Sequence, residues 1–358
     1  MINLRRSVAV IAAITLVVGC GGSAVPSASH SSPTATTPSG SSGADPSSSP
    51  GLSATPDLTG ETVRFAISAP PQALDGHIAV MADILKSWGA NVELINQLGQ
   101  PAAIRVVLSD HGDVANAAAT AAINSGLVVF GPLQPRLDWY LVGAPDVDSL
   151  DDLKHDGRVH GGANPGGMVE LMWDLTEETF NIAEGEIRVR DAGAASARVA
   201  ALTEGQIDST FVHVDAWRRL SEQGYPTILV MADEFPELAD SYLGASIFWI
   251  REHPNLAVAM NLAWLEAAKV FKEDGDRWVA LTTAYTEEPE ADVRTVYENL
   301  AAAQSELWPR ARDAFALDSC QFSSDAGVLA GIIENPPPTE EWCIQDYWVQ
   351  AADLAELP

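Results

Sequence analysis

A glycine-rich turn from Asn164 to Met168 is the part of the sequence best suited to hold a small molecule. It follows a short predicted strand, residues 158–161, and opens a long helix in which Val169 and Met172 recur near helical spacing. Backbone N–H groups at such a helix start are free to bind a polar or anionic group, at the positive end of the helix dipole. An ordinary strand-to-helix turn has the same composition, so the residues alone leave both interpretations open.

Catalytic patterns are weak. His213 and Asp215 would face the same side of a predicted strand and could begin a metal site or a catalytic pair, but no third ligand follows at a recognisable spacing. His111 and Asp113 form a similar pair. The sequence contains no G-x-S-x-G, H-E-x-x-H or G-x-x-x-x-G-K motif. We therefore expect no catalytic residue, no metal site and no cofactor.

Several aromatic residues fall near the ends or edges of predicted strands, where they could stack on a flat or cationic ligand. Each of them also suits a place in a hydrophobic core. They are Trp139, Tyr140, Trp217, Tyr242 and Trp249.

The composition excludes some classes of partner. The chain has 358 residues, a formal net charge of -29 and a pI near 4.3. Such acidity argues against nucleic-acid binding, which needs clustered Lys and Arg. At the N-terminus, Arg5 and Arg6 precede an apolar run, residues 8–18, that is too short for a comfortable membrane span. No later apolar run predicts a second span.

Residues 21–59 are rich in Ser, Thr, Pro and Gly, and large apolar side chains are almost absent. We expect this linker to be disordered, because it cannot bury enough apolar surface to offset the entropy lost on ordering. A flexible coil of that length spans roughly 35 Å on average.

From residue 60 onward, predicted strands and helices alternate, which indicates parallel sheets with right-handed crossovers. Strands are expected at 62–68, 92–95, 127–130, 139–142, 158–161, 186–189, 209–214, 227–231 and 242–250. Helices are expected at 76–88, 101–108, 117–124, 149–154, 194–203 and in most of the chain after residue 254.

Two passages resemble the solute-binding proteins of ABC importers for nitrate, sulfonates, taurine and pyrimidine precursors. Residues 149–167 resemble that family's SLxDLKGKxVGVxxPGG passage, and residues 202–217 match LxxGQxDxxxVxxxxW. The sequence departs from the first pattern at His155-Asp156, where the family has Gly-Lys, and at His160-Gly161-Gly162. Residues 17–20, ending in Cys20, resemble a bacterial lipobox.

The resemblance implies a two-lobe α/β fold of the periplasmic-binding-protein-like type II class, each lobe a mostly parallel sheet flanked by helices. The expected segments are a lipoprotein signal peptide at 1–20, the linker at 21–59, lobe one at 60–148 and 240–358, and lobe two at 149–239. Cys20 would carry the lipid and hold the protein on the outer face of the cell membrane.

The resemblance also suggests how a small organic solute would be bound between the lobes. The turn, including Asn164, Gly166, Gly167 and Met168, would bind a polar group, and Ala69, Pro70 and Gln72 would close the cleft. Trp217 would cover an apolar part of the solute. A competing hypothesis is a cation held by Trp217 with Asp215 as counter-charge.

By the same resemblance, the protein would be a monomer that delivers its solute to ABC permease subunits, with a lipid anchor as its only membrane contact. Two alternatives stay open: an enzyme like those that make the thiamine pyrimidine on this fold, and a sensory lipoprotein without transport.

The remaining cysteines, Cys320 and Cys343, are expected to form a disulfide. An exported protein reaches an oxidising compartment, and with Cys20 lipidated the count is even.

Overall fold

The computed structural model describes residues 55–97, 99–155, 157–162, 168–193, 195–303 and 306–357. The predicted signal peptide, Cys20 and nearly all of the linker lie outside these residues, as does the turn before Met168. In the described ranges, no helix is both long enough and apolar enough to cross a membrane.

In the described part of the chain, ten strands form two sheets. They are β1 Thr62–Ile67, β2 Asn91–Asn96, β3 Val114–Ala117, β4 Val128–Gln134, β5 Trp139–Gly143, β6 Val159–Gly162, β7 Arg188–Asp191, β8 Ser209–His213, β9 Thr227–Val230 and β10 Ser241–Ala245.

Helices flank both sheets. They are α1 Gly76–Ser87, α2 Gln100–Leu108, α3 Ala119–Ser125, α4 Leu150–Leu153, α5 Met168–Thr179, α6 Ala195–Thr203, α7 Val214–Glu222, α8 Met231–Glu234, α9 Ile247–Glu252, α10 Pro254–Glu273, α11 Gly275–Thr286, α12 Glu290–Ala301, α13 Leu317–Leu329, α14 Thr339–Trp342 and α15 Asp346–Leu354.

The two sheets have the same topology. The strand order is β2-β1-β3-β10-β4 in the first sheet and β7-β6-β8-β5-β9 in the second. In the first sheet only β10 runs antiparallel to its neighbours, and in the second only β5 does. The predicted fold class, two lobes each built on a mostly parallel sheet with flanking helices, is confirmed.

The reversed strand in each sheet is the one that arrives from the other lobe. The chain leaves the first sheet at the end of β4 and enters the second as β5; it leaves the second after α8 and returns as β10. The first crossing therefore lies at residues 135–138. The sequence-based boundary at residue 148 is too late, because β5 pairs with β8 and β9 and belongs to lobe two.

Two other sequence-based element limits also need correction. The strand predicted at 127–130 continues through Pro132 to Gln134. It lies at the sheet edge, where a residue without an N–H is tolerated. The predicted strand over 242–250 stops at Ala245, because the Ser246 hydroxyl accepts a hydrogen bond from the Phe248 N–H and starts α9.

The hydrophobic core follows the two sheets. One large cluster packs around the first sheet and the C-terminal helices and extends to the second sheet at Tyr140, Val142 and Val212. A second, smaller cluster packs around the second sheet. Helix α13 joins the two clusters, since Cys320 belongs to the first and Ala326 to the second. Helix α13 contacts α3 of lobe one and α5 of lobe two. The C-terminal region therefore ties the lobes together at a place separate from the two crossings.

Candidate functional site

A cavity of about 260 Å³ lies where the carboxyl ends of the strands meet the two crossings. Ligands in open α/β sheets bind outside the carboxyl ends of the strands, where the chain order reverses. Its lining comes from both lobes: Ser68, Ala69, Gln72, Leu74, Asp75, His77, Ile78, Gln100, Asn116, Leu133, Gln134, Asp138, Trp139, Met168, His213, Asp240, Ser241 and Trp308.

The pairing of the reversed strands explains why two carboxylates reach this cavity. Ser241 at the start of β10 pairs with Gln134 at the end of β4, and the Asp240 N–H donates to the Gln134 carbonyl at 3.0 Å. Trp139 at the start of β5 pairs with His213 at the end of β8. Asp138 and Asp240, one on each crossing, are thereby held beside the last residues of parallel strands.

Hydrogen bonds fix these two carboxylates. The Asp138 Oδ1 lies 2.9 Å from the His213 Nδ1 and accepts a bond of 2.9 Å from the Gln134 amide. The Asp240 Oδ1 accepts a bond of 3.1 Å from the Trp139 indole N–H. Asp138 is buried, and its charge is balanced by the His213 imidazole when that ring is protonated.

Asp75 is the third carboxylate of the cavity wall, at the entry to α1. As a whole the residue is half-buried, but its Oδ2 is enclosed and has no hydrogen-bond partner among the described residues. Burial raises the pKa of Asp75 to about 7, against the opposing effects of Gln72 and His213. Burial and the charge of Asp138 together raise the pKa of Asp240 to about 6.

Histidines occupy two places in the wall. Burial lowers the pKa of His213, but the charge of Asp138 and its hydrogen bond, with Asp240 and Asp215 behind, outweigh burial and raise the pKa above its usual value. His77 is fully buried, stacked on Trp308 with 4.8 Å between ring centroids. Burial lowers the pKa of His77 to about 3, so this imidazole is neutral.

The structure brings some of the residues predicted from sequence to this cavity. Ala69 and Gln72 line it from lobe one, and Met168 lines it from the first position of α5. Pro70 is exposed and is not among the lining residues. Asn164, Gly166 and Gly167 lie outside the described residues, so the predicted turn stays a prediction.

Trp217 and Asp215 lie elsewhere. Both residues belong to helix α7, whereas Trp217 was predicted at a strand end facing the ligand. Trp217 stacks on Tyr140 at 4.1 Å between ring centroids, and its indole N–H donates to the Thr227 hydroxyl at 2.6 Å. Asp215 pairs with Arg219 at 3.5 Å, and neither Asp215 nor Trp217 lines the described cavity. The helix begins one residue after β8, which turns both side chains away from the cavity.

The other histidine candidates have structural partners. Asp113 forms an ion pair of 2.6 Å with Arg64, whereas the His111 ring contacts the Ser109 hydroxyl on the surface. His160 is buried against Trp173 and lies 3.0 Å from the Ser209 hydroxyl. Among the residues that the structure describes, no group of three or more His, Cys, Asp or Glu is placed to hold a metal ion.

Sequence reasoning missed the three carboxylates, Asp75, Asp138 and Asp240. Their only sequence signal is position: Asp138 directly precedes a predicted strand, and Asp240 closely precedes another. A position before a strand points to the cavity only when that strand is known to follow a crossing between the lobes. Because β5 was assigned to lobe one, the crossing at residues 135–138 was not recognised from the sequence.

Comparisons with solved structures find the same architecture. The ligand-binding component of an ABC-type import system from Staphylococcus aureus, with zinc bound, has a TM-score of 0.64 at 14% identity, covering 81% of this chain and 99% of that chain. The periplasmic aliphatic sulphonate-binding protein SsuA from Escherichia coli has a TM-score of 0.64 at 13% identity, covering 80% and 93%. The fold is that of a two-lobe periplasmic binding protein.

Two further similar structures show what else this architecture carries. The periplasmic nitrate-binding protein NrtA from Synechocystis has a TM-score of 0.62 at 13% identity, covering 83% of this chain and 89% of that one. The desulfurization enzyme DSZB has a TM-score of 0.55 at 13% identity, covering 82% and 99%. No protein-family model and no curated protein sequence matches the chain. At these identities the likeness concerns the fold.

Proposed function

We propose that the protein is an extracytoplasmic solute-binding protein that captures a small organic solute between its lobes and delivers it to an ABC importer. The observation that carries the proposal is the cavity at the two crossings, with lining residues from both lobes and from both connecting segments. A ligand in that position contacts both lobes at once, so its binding energy favours the closed arrangement of the lobes.

A screen of small solutes against the purified protein by thermal unfolding tests this proposal. A ligand that binds only the folded state at one hundred times its Kd adds about 2.7 kcal/mol to the free energy of unfolding. We expect at least one solute to raise Tm by several degrees in a concentration-dependent way. A broad screen in which no solute raises Tm would contradict the proposal.

The enzyme alternative has less support from the site. Among the described lining residues there is no Lys to hold a lysine-bound cofactor and no Cys to act as a nucleophile. Cys320 and Cys343 are joined in a disulfide, and neither is among the described lining residues. We expect no pyrimidine product with pyridoxal phosphate and iron, and no consumption of biphenyl-2-sulfinic acid, the ligand of one DSZB structure.

Delivery and anchoring are separate parts of the proposal. Cys20 would be the lipidated first residue of the mature chain, and the linker would let the folded part reach the permease. A sensor without transport differs in one measurable respect: deleting a neighbouring permease gene abolishes uptake of the bound solute only if the protein serves an importer. Cys20→Ala should release the protein from the membrane fraction in the same strain.

A further inference from the structure

The cavity wall carries an excess of negative charge. Three carboxylates line it, Asp75, Asp138 and Asp240, and none of the described lining residues is Arg or Lys. With all groups ionised, the His213 imidazolium offsets only one of the three charges. An anion such as nitrate or a sulfonate would meet repulsion here, whereas a cation would be attracted.

Three hydrogen-bond donors of the wall bond to acceptors within the protein. The Asn116 amide N–H donates to the Ser68 hydroxyl at 2.8 Å, the Gln134 amide donates to Asp138, and the Trp139 indole donates to Asp240. Carboxylates can only accept hydrogen bonds when ionised, so Asp75, Asp138 and Asp240 favour a ligand that brings N–H or O–H donors of its own.

Two buried polar groups facing the cavity lack partners. Among the described residues, the Asp75 Oδ2 has no hydrogen-bond donor, and the His77 ring, which is only 2% exposed, has no side-chain partner and only the Trp264 backbone nearby. Leaving such groups unpaired inside a protein is costly, so native structures usually give them a partner, which can be a water, an ion or a ligand. A neutral imidazole nitrogen and a carboxylate oxygen can both accept a hydrogen bond from a protonated amine.

Aromatic rings and limited size complete the site. Trp139 and Trp308 line the cavity, where Trp139 packs on His213 and Trp308 stacks on His77. The volume of about 260 Å³ is below the usual range of roughly 300–1,000 Å³ for ligand pockets, so the ligand is small.

We propose that the captured solute is a small organic cation whose protonated amine donates hydrogen bonds to Asp75 and is balanced by Asp138 and Asp240. This inference rests on the proposed function and names the chemical class of the solute. It moves the cation site from Trp217 and Asp215 in helix α7 to the crossings between the lobes.

The competing location for an anion is near Arg198. Its guanidinium lies 6.0 Å from the Trp139 ring centroid, and two of its nitrogens donate to the carbonyls of Gly193 and Phe211, while its Nε has no partner. Arg198 is not a lining residue of the described cavity, so it does not cancel the charge of the wall directly.

A charge-matched panel tests the inference. Ammonium solutes from methylammonium to putrescine and choline are screened beside alkanesulfonates of the same carbon number, nitrate and Zn²⁺. The best binder is then measured by calorimetry on the wild type, Asp75→Asn, Arg198→Gln and Asp215→Asn. Asp215→Asn is the matched control, because it removes one carboxylate outside the cavity.

We expect an ammonium solute to bind most tightly, Asp75→Asn to weaken it about tenfold or more, and Asp215→Asn to change Kd by less than about twofold. If a sulfonate or nitrate binds best and depends on Arg198 instead of Asp75, the cation inference is wrong but the solute-binding function stands. Tightest binding of Zn²⁺ also overturns it. If nothing in the panel or the broader screen binds, both proposals fail.

Discussion

At the residue scale, Asp75 lies at the start of helix α1 and has one enclosed carboxylate oxygen. Burial raises its pKa to about 7, so the folded state holds a proton that the unfolded chain releases near its ordinary value of 3.8. Stability therefore falls as the pH rises from about 4 to about 7 and stays lower above that range. Above pH 7 the buried Asp75 carboxylate therefore destabilises the ligand-free protein, and a bound cation would offset this cost.

Asp75→Asn should stabilise the empty protein at pH 8, by on the order of a few kcal/mol, because one pKa unit corresponds to about 1.4 kcal/mol. The gain should vanish near pH 4, where the carboxyl is protonated in both states. Denaturant unfolding of the wild type and the variant at both pH values measures the difference. Equal free energies of unfolding for the wild type and Asp75→Asn at pH 8 would show that burial does not destabilise ionised Asp75. The control Asp215→Asn should show no such pH-dependent gain.

The affinity for the ammonium solute should also depend on pH. Asp75 and Asp240, with pKa values of about 7 and about 6, must be ionised to attract a cation, and His213 gains positive charge as the pH falls. His77 stays neutral and the Tyr285 hydroxyl, near Asp75, stays protonated over this range. Kd should thus rise steadily from pH 8 to pH 5 by calorimetry. An affinity that increases towards pH 5 would indicate an anionic solute.

At the element scale, local signals predicted most of the fold. Helix α4 lies within the predicted range 149–154, and the structure shows Ser149 as its N-cap with a reciprocal bond from Asp152. The lobe boundary was wrong because strand pairing decides it. The local sequence predicts β5 as a strand but does not say which sheet it joins, and its pairing with β8 and β9 assigns it to lobe two. The cavity carboxylates depend on the same crossings, which explains why they could not be found from local patterns.

The Cys320–Cys343 disulfide is the second feature at this scale. It joins α13, which contacts both lobes, to a segment whose Cys343 bridges Val129 at the edge of the first sheet. The two cysteines are 23 residues apart, for which loop-closure entropy gives a stabilisation of about 3 kcal/mol.

Thiol labelling of the denatured, unreduced mature protein should find no reactive cysteine, and labelling after reduction should find two. The double variant Cys320→Ser/Cys343→Ser should lose about 3 kcal/mol of stability in denaturant unfolding. Two reactive thiols before reduction would refute the pairing.

At the scale of the whole molecule, the two sheets have the same topology, and each contains one antiparallel strand that arrives from the other lobe. The two crossings that lead into these strands carry Asp138 and Asp240. Both connections therefore pass beside the cavity. We expect a solute bound there to contact the two connecting segments between the lobes, and this contact would couple its capture to closure.

Amide hydrogen exchange with and without the best solute from the screen tests this central claim most directly. Binding should slow exchange in both crossings, residues 134–141 and 238–243, and around Asp75 in lobe one and His213 in lobe two. Residues in α15, away from the cavity, should be unchanged and serve as the internal control. Protection confined to one lobe, or centred on Trp217 in α7, would contradict binding between the lobes.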